Sequence, residues 1–174
     1  MLDVDSAPQS GTWWRHIPAG GDIFYEPPDP PDNRWQRGAV VQALYFADSE
    51  ETMWAEWYRH LAEFGLPPRQ GLPRDAWQWE VALPDVADLS DDGRLARVGL
   101  PPLQPTRLQW PTFQPVGEHL HAHGWPALLA ASAARPAGRV LCVFRTAREV
   151  PGTTPLPPPT RVDDPPIVPT GLRT

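Results

Sequence analysis

A mixed α+β domain is what this sequence predicts. An apolar strand at residues 40–47 runs directly into a helix with a clear start and stop. Residues 77–83, WQWEVAL, alternate apolar and polar positions as a half-buried strand does. Two later apolar runs, 127–134 and 139–144, are separated by RPAG and read as strands of one sheet.

Taken in order, residues 1–12 are polar and are expected to be a loosely held, flexible segment. Residues 12–17, TWWRHI, form a first strand with Trp13 and Trp14 on opposite faces and Arg15 near its end. The proline-rich stretch 18–32 is a loop, since prolines remove donors and fix φ. After the strand at 40–47, Asp48 or Ser49 caps a helix, and Glu51 sits at capping-box distance from Asp48. That helix carries Met53, Trp57, Leu61 and Phe64 on one stripe and stops at Gly65. Residues 85–100 read as strand end, turn and short helix, and 101–111 as a loop. A second long helix spans 112–123, capped by Thr112 and stopped by Gly124. The proline-rich stretch 151–174 has no period. It reads as an extended or disordered tail, with the domain at 13–150.

Composition narrows the function. The 174 residues suffice for one domain with a sizeable core. A net charge of −6 argues against general affinity for nucleic acid. All 15 basic residues are arginine, which excludes Schiff-base and phosphate-loop lysine chemistry. No apolar run approaches the ~20 residues of a membrane span, and the acidic start lacks the pattern of a signal peptide. The single cysteine, Cys142, fits a reducing compartment, so a cytoplasmic location is expected.

Arg34, Tyr45 and Glu56 stand eleven residues apart in each step. They fall before a strand, near its end and inside the following helix, positions from which all three can line one cleft. The plainer reading of Glu56 is a boundary carboxylate paired with Arg59 or His60. Trp35 is the tryptophan expected to border a cleft. Cys142, inside an apolar strand, reads as buried and inert. His119, His121 and His123 would share a face on a strand and could suit a metal. On the helix expected there they diverge, so no metal is assigned. Ser132 ends an apolar run without the G-x-S-x-G context of a hydrolase nucleophile.

As a set, these residues resemble the RES domain family of bacterial toxin–antitoxin systems. The resemblance rests on Trp14-Arg15, Asn33-Arg34-Trp35-Gln36, Ala43-Leu44-Tyr45-Phe46-Ala47, Ser49-Glu50-Glu51-Thr52 with Ala55-Glu56, and Ser132-Ala133-Ala134-Arg135. The sequence departs from the family pattern at Asn33, where glycine is usual, at Gln36, where asparagine is usual, and in an extra alanine before Arg135. The resemblance implies an ADP-ribosyltransferase-like mixed sheet around a central cleft with flanking helices. It also implies cleavage of the nicotinamide–ribose bond of NAD⁺, by hydrolysis or phosphorolysis, with NAD⁺ as substrate and no separate cofactor. Glu56, Arg34 and Ser132 would be catalytic. Arg15, Arg34, Trp35, Tyr45 and Ser132 would bind the dinucleotide, the arginines its diphosphate and Tyr45 the nicotinamide ring. A cognate antitoxin and a homodimer are the partners implied. The rivals are an inactive RES-like module that binds a nucleotide or partner, and an ADP-ribosyltransferase.

Overall fold

The computed structural model describes residues 2–148 and 150–174. The strands are β1 (Asp5–Ser6), β2 (Gln9–Pro18), β3 (Gln42–Ala47), β4 (Arg74–Leu83), β5 (Ala87–Leu89), β6 (Ala127–Ala131), β7 (Arg139–Arg145) and β8 (Thr153–Val162). The helices are α1 (Glu50–Glu63), α2 (Asp92–Arg97) and α3 (Trp110–Ala122). The eight strands form one sheet in the order β1-β5-β6-β7-β3-β2-β4-β8, antiparallel except for the parallel pair β5–β6. This is a mixed α+β fold with flanking helices, and no described helix is long and apolar enough to cross a membrane.

The sheet is one only in a formal sense. β2 pairs with β4 at ten positions, and β3 pairs with β7 along its whole length. Yet among the described residues β2 and β3 meet at a single pair, Trp14 and Ala47. Beyond it the two strands diverge and leave a gap in the middle of the sheet.

Alternation along the strands sorts the core. On one face, Trp35, Leu95, Phe113, Leu120, Leu128, Ala130, Cys142 and Phe144 pack together beneath α2 and α3. On the other, Trp13, Phe46, Trp79, Val81, Leu129, Leu141 and Val143 form a second layer, closed by Ile23 and Phe24 of the loop after β2. A third cluster joins Met53, Trp54, Trp57 and Leu61 of α1 to Ala47 and Ala76, so α1 lies across the gap.

The helix starts differ in detail from expectation. Ser49 is the N-cap of α1 and accepts from the Thr52 amide at 3.2 Å. Glu51 closes no capping box; it turns outward to Arg135. Phe64, expected on the buried stripe, is 47% exposed, with the Arg107 guanidinium over its ring. α3 begins at Trp110 rather than at Thr112, because Pro111 in its first turn already has a helical φ. α3 carries His119 and His121 and ends at His123; His119 and His123 stack on each other, while His121 meets Phe144.

Both terminal expectations need correction. Asp5 and Ser6 pair with β5, and β2 begins at Gln9, so residues 5–6 and 9–12 contribute to the sheet. The proline-rich stretch contributes β8, which pairs with β4 from Val81 to Arg74. Prolines survive there because β8 is an edge strand, and Pro157, Pro158 and Pro159 fall where the register jumps between Gln78 and Ala76.

Gly117 lets α3 approach the segment that follows Asn33: a Cβ there would lie 1.9 Å from the Trp35 carbonyl oxygen. Gly117→Ala is therefore expected to cost about 1–3 kcal/mol, as overpacking does. Urea denaturation measures it, and a midpoint equal to the parent's would mean that the helix shifts freely.

Candidate active site

The gap between β2 and β3 opens into a cavity of about 430 Å³. Its walls come from β2 (Arg15, His16), β3 (Tyr45), α1 (Met53, Glu56, Arg59), the segment around Arg34, and Arg145 of β7. Arg34, Tyr45 and Glu56 thus line one space, as does Arg15.

Glu56 accepts from three donors there. Its Oε1 accepts from Ser132 Oγ at 2.7 Å and from the Ala134 amide at 3.3 Å. Its Oε2 accepts from Arg59 Nε at 2.9 Å, while Arg59 also donates to Glu63 at 2.8 Å. Glu56 is therefore paired with Arg59 and is also a cavity residue. The pair does not sit on a solvated face, because Arg59 is 9% exposed. His60 takes no part and lies against Phe64.

Local chemistry brings Ser132 to this point. β6 ends at Ala131, and the turn after it closes with the Ser132 amide donating to the Gly138 carbonyl. Gly138 sits against Thr52 so closely that a Cβ would lie 2.2 Å from Thr52 Oγ1. Arg135 then ties the turn to α1 through Glu51 at 2.6 Å and Thr52 at 3.3 Å. The Ser132 hydroxyl accepts from the Arg135 amide at 2.9 Å, which leaves its proton for Glu56.

Arg34 is 8% exposed and stacks on Phe113. It donates to the Gln104 carbonyl at 2.7 Å, to Gln109 Oε1 at 3.2 Å and to the Thr106 carbonyl at 3.4 Å. Gln109, unused as a helix cap, thereby anchors the arginine. These bonds employ the two terminal nitrogens and leave Nε without a protein acceptor among the described residues. Trp35 borders the cavity as expected, yet it is only 2% exposed, and its ring lies edge-on to Phe113. Gln36 is buried too, and its Oε1 accepts from the Tyr45 hydroxyl at 2.5 Å. The departure at Gln36 therefore supplies the longer amide that holds Tyr45.

Arg145 and His16 were not singled out by sequence reasoning. Arg145 donates to the Phe24 and Tyr25 carbonyls and to Glu26, binding the loop after β2 over the cavity. His16 stacks on Trp54 and accepts from Arg74. Burial, then the nearby Arg74 and Arg15, hold its pKa well below the usual imidazole range. An arginine at a strand end carries no local signal of such use, and the partners that reveal it lie more than a hundred residues away.

The field in the cavity is cationic apart from Glu56 and Asp22. Burial, then Arg145 and Arg74, lower the Arg15 pKa to about 10; burial, then Arg59, lower that of Arg34 to about 10. Both remain charged at neutral pH and lack full compensation, which suits an anionic ligand. Tyr45 stays a phenol, because burial raises its pKa well above the ordinary value. Cys142 beside it is buried, and burial raises its thiol to about 12, which leaves it inert. Among the described residues, no group of three or more His, Cys, Asp or Glu side chains is placed to hold a metal.

The fold and cavity define a class: a split-sheet α+β domain whose central cleft sets a carboxylate, held from behind by a serine, beside several arginines. The family model for the RES domain matches residues 10–164, and the chain belongs to that family. A solved structure with the same fold is described as the M. tuberculosis MbcT–MbcA toxin–antitoxin complex. The similarity covers 87% of this chain and 86% of that one, at 21% identity and a TM-score of 0.70. None of the curated proteins matches the sequence.

Burial alone would raise the Glu56 pKa, but Arg59, the Ser132 hydroxyl and the Ala134 amide outweigh it and hold the pKa below the usual carboxylate range. A folded value below the unfolded one means that ionised Glu56 stabilises the fold above that range. The contribution is lost as pH falls through the folded value. Ser132→Ala removes one of the lowering bonds, so the Glu56 midpoint should move up in a carbon-13 NMR titration. An unmoved midpoint would mean that the hydroxyl does not act on the carboxylate.

Proposed function

We propose that this protein is a RES-family toxin that cleaves the nicotinamide–ribose bond of NAD⁺. The observation that carries the reading is the hydrogen bond between Ser132 and Glu56, made at the wall of an arginine-lined cleft by residues 76 apart in the chain. A carboxylate held ionised in a partly dry site suits the stabilisation of a ribosyl cation, and arginines beside it suit a diphosphate.

In the proposed reaction Arg34 and Arg15 bind the diphosphate, Arg34 through the Nε that no described protein group occupies. Tyr45, fixed by Gln36, presents its ring to the nicotinamide. The bond between C1′ of the ribose and the nicotinamide nitrogen breaks, and its electron pair leaves with neutral nicotinamide. Glu56 stabilises the cation left on the ribose and accepts from a ribose hydroxyl, as carboxylates do in glycoside cleavage. Ser132 positions Glu56 and can turn its proton to the same ribose. Water adding to C1′ yields ADP-ribose and a proton; inorganic phosphate yields the corresponding 1-phosphate.

The solved neighbour's title names a toxin–antitoxin complex, which supports a protein antitoxin as partner here. An antitoxin seated over the mouth between β2 and β3 would withhold the substrate.

Glu56→Ala is expected to lower kcat roughly 10²–10³-fold, the range for loss of one preorganised electrostatic group. Nicotinamide release from NAD⁺, followed with and without inorganic phosphate, measures this and names the acceptor; undiminished release would remove Glu56 from the mechanism. Arg34→Lys is expected to raise KM by roughly ten- to a hundredfold, since hydrogen bonds to a charged group contribute about 1.5–3 kcal/mol. An unchanged KM would assign the diphosphate to other residues.

One observation favours a second reading. The three acceptors that already hold Arg34 suit a module that binds a nucleotide without turning it over. Tight binding of NAD⁺ without nicotinamide release would establish that reading instead.

A further inference from the structure

Residues 165–174 lie beyond the family match, which ends at 164. They leave β8 and run across α1, where the Tyr58 hydroxyl donates to the Pro166 carbonyl at 2.5 Å. Pro169 is then buried, and the Thr170 carbonyl accepts from Arg135 Nε at 3.2 Å. Gly171 turns the chain with a φ of +78°, a conformation other residues seldom take. Arg173 follows.

Arg173 touches two different walls of the cleft from outside. Its amide donates to the Ala134 carbonyl at 2.7 Å. Ala134 is the residue whose own amide donates to Glu56. Its guanidinium donates to Gln104 Oε1 at 3.1 Å. Gln104 is the residue whose carbonyl accepts from Arg34 at 2.7 Å. No residue of the segment lines the cavity, so the segment neither fills nor covers it.

We propose that residues 165–174 form a clasp that sets the spacing between the Glu56–Ser132 wall and the Arg34 wall. Arg173 is its positioning residue. The peptide of Ala134 passes restraint from Arg173 to the carboxylate, and Gln104 passes it to the guanidinium. Both bonds are short-range and directional, so losing either frees one wall while the strands beneath stay paired. The kinetic consequence rests on the NAD⁺ reading given above; the structural one does not.

Hydrogen–deuterium exchange on the full chain separates the two. Arg173→Ala keeps the bond to Ala134 and removes that to Gln104. Exchange should rise several-fold in residues 101–109 and stay at the parent's level in 132–138. Arg173→Pro removes the amide as well, and exchange should rise in both segments. Arg173→Lys keeps a donor for Gln104 and should restore most of the parent's protection. In the enzyme assay, Arg173→Ala should raise KM for NAD⁺ with kcat kept, whereas Arg173→Pro should also lower kcat.

Parent-like exchange in both segments of both variants would overturn the clasp. So would a rise spread across the whole sheet in Arg173→Ala, which would make Arg173 a general stabilising residue. If the parent releases no nicotinamide yet the segment-specific exchange appears, the clasp stands and the NAD⁺ reading falls. Release with unchanged exchange has the opposite meaning.

Discussion

A single strand pairing, Trp14 with Ala47, governs the architecture of this protein. Had β2 and β3 continued to pair beyond it, Arg15, His16 and Tyr45 would belong to an unbroken sheet with no central opening. The strands separate because each has a stronger claim elsewhere, β2 on β4 and β3 on β7. The backbone groups of both are satisfied on their outer sides, and the inner sides face a cavity. α1 then spans the opening on one face, and the loop after β2, held by Arg145, covers the other. A cleft of this kind is polar at its rim and lined by both main chain and side chains, a setting where a few charged groups can act at low dielectric.

Within that opening, charge is arranged at some energetic cost. Arg15, Arg34, Arg59 and Arg145 converge on a space that holds few carboxylates, and burial weakens the hold of Arg15 and Arg34 on their protons. Arg59 has two carboxylate partners, Glu56 and Glu63, so its charge is met inside the protein. Arg34 donates its hydrogen bonds only to neutral oxygens and lies over an aromatic face. The imbalance is greatest where an anionic ligand would bring compensation. The same surroundings keep Glu56 ionised, since each of its two oxygens accepts from a fixed donor.

Much of this was legible in the residue order. The apolar alternation of β4, the Ser49 start of α1 and its Gly65 stop are local signals, and local physics honours them. Arg34, Tyr45 and Glu56 were legible as a group because they flank one strand–helix unit whose geometry is nearly fixed by its length. The proline-rich stretch misled, because proline content reports on a segment's own hydrogen bonding and not on whether an edge is waiting beside it. β4 offered such an edge, and β8 took it. Trp35 was legible as a cleft residue but its close packing was not: Phe113 meets its ring edge-on, and Gly117 on α3 admits its backbone.

By itself the sequence determined the type of the central helices and strands, the absence of lysine chemistry, the family resemblance and the Arg34, Tyr45 and Glu56 grouping. Only the tertiary structure decided that Ser132 bonds Glu56, that Arg59 is buried between two glutamates, and that Arg145 secures the covering loop. It also decided that Gln104 and Gln109 anchor Arg34. The physical reason is range. Caps, turns and alternation are settled among residues a few positions apart, where the chain's own geometry limits the choices. A hydrogen bond between residues 76 apart depends on how two sheet halves, a helix and a turn pack together.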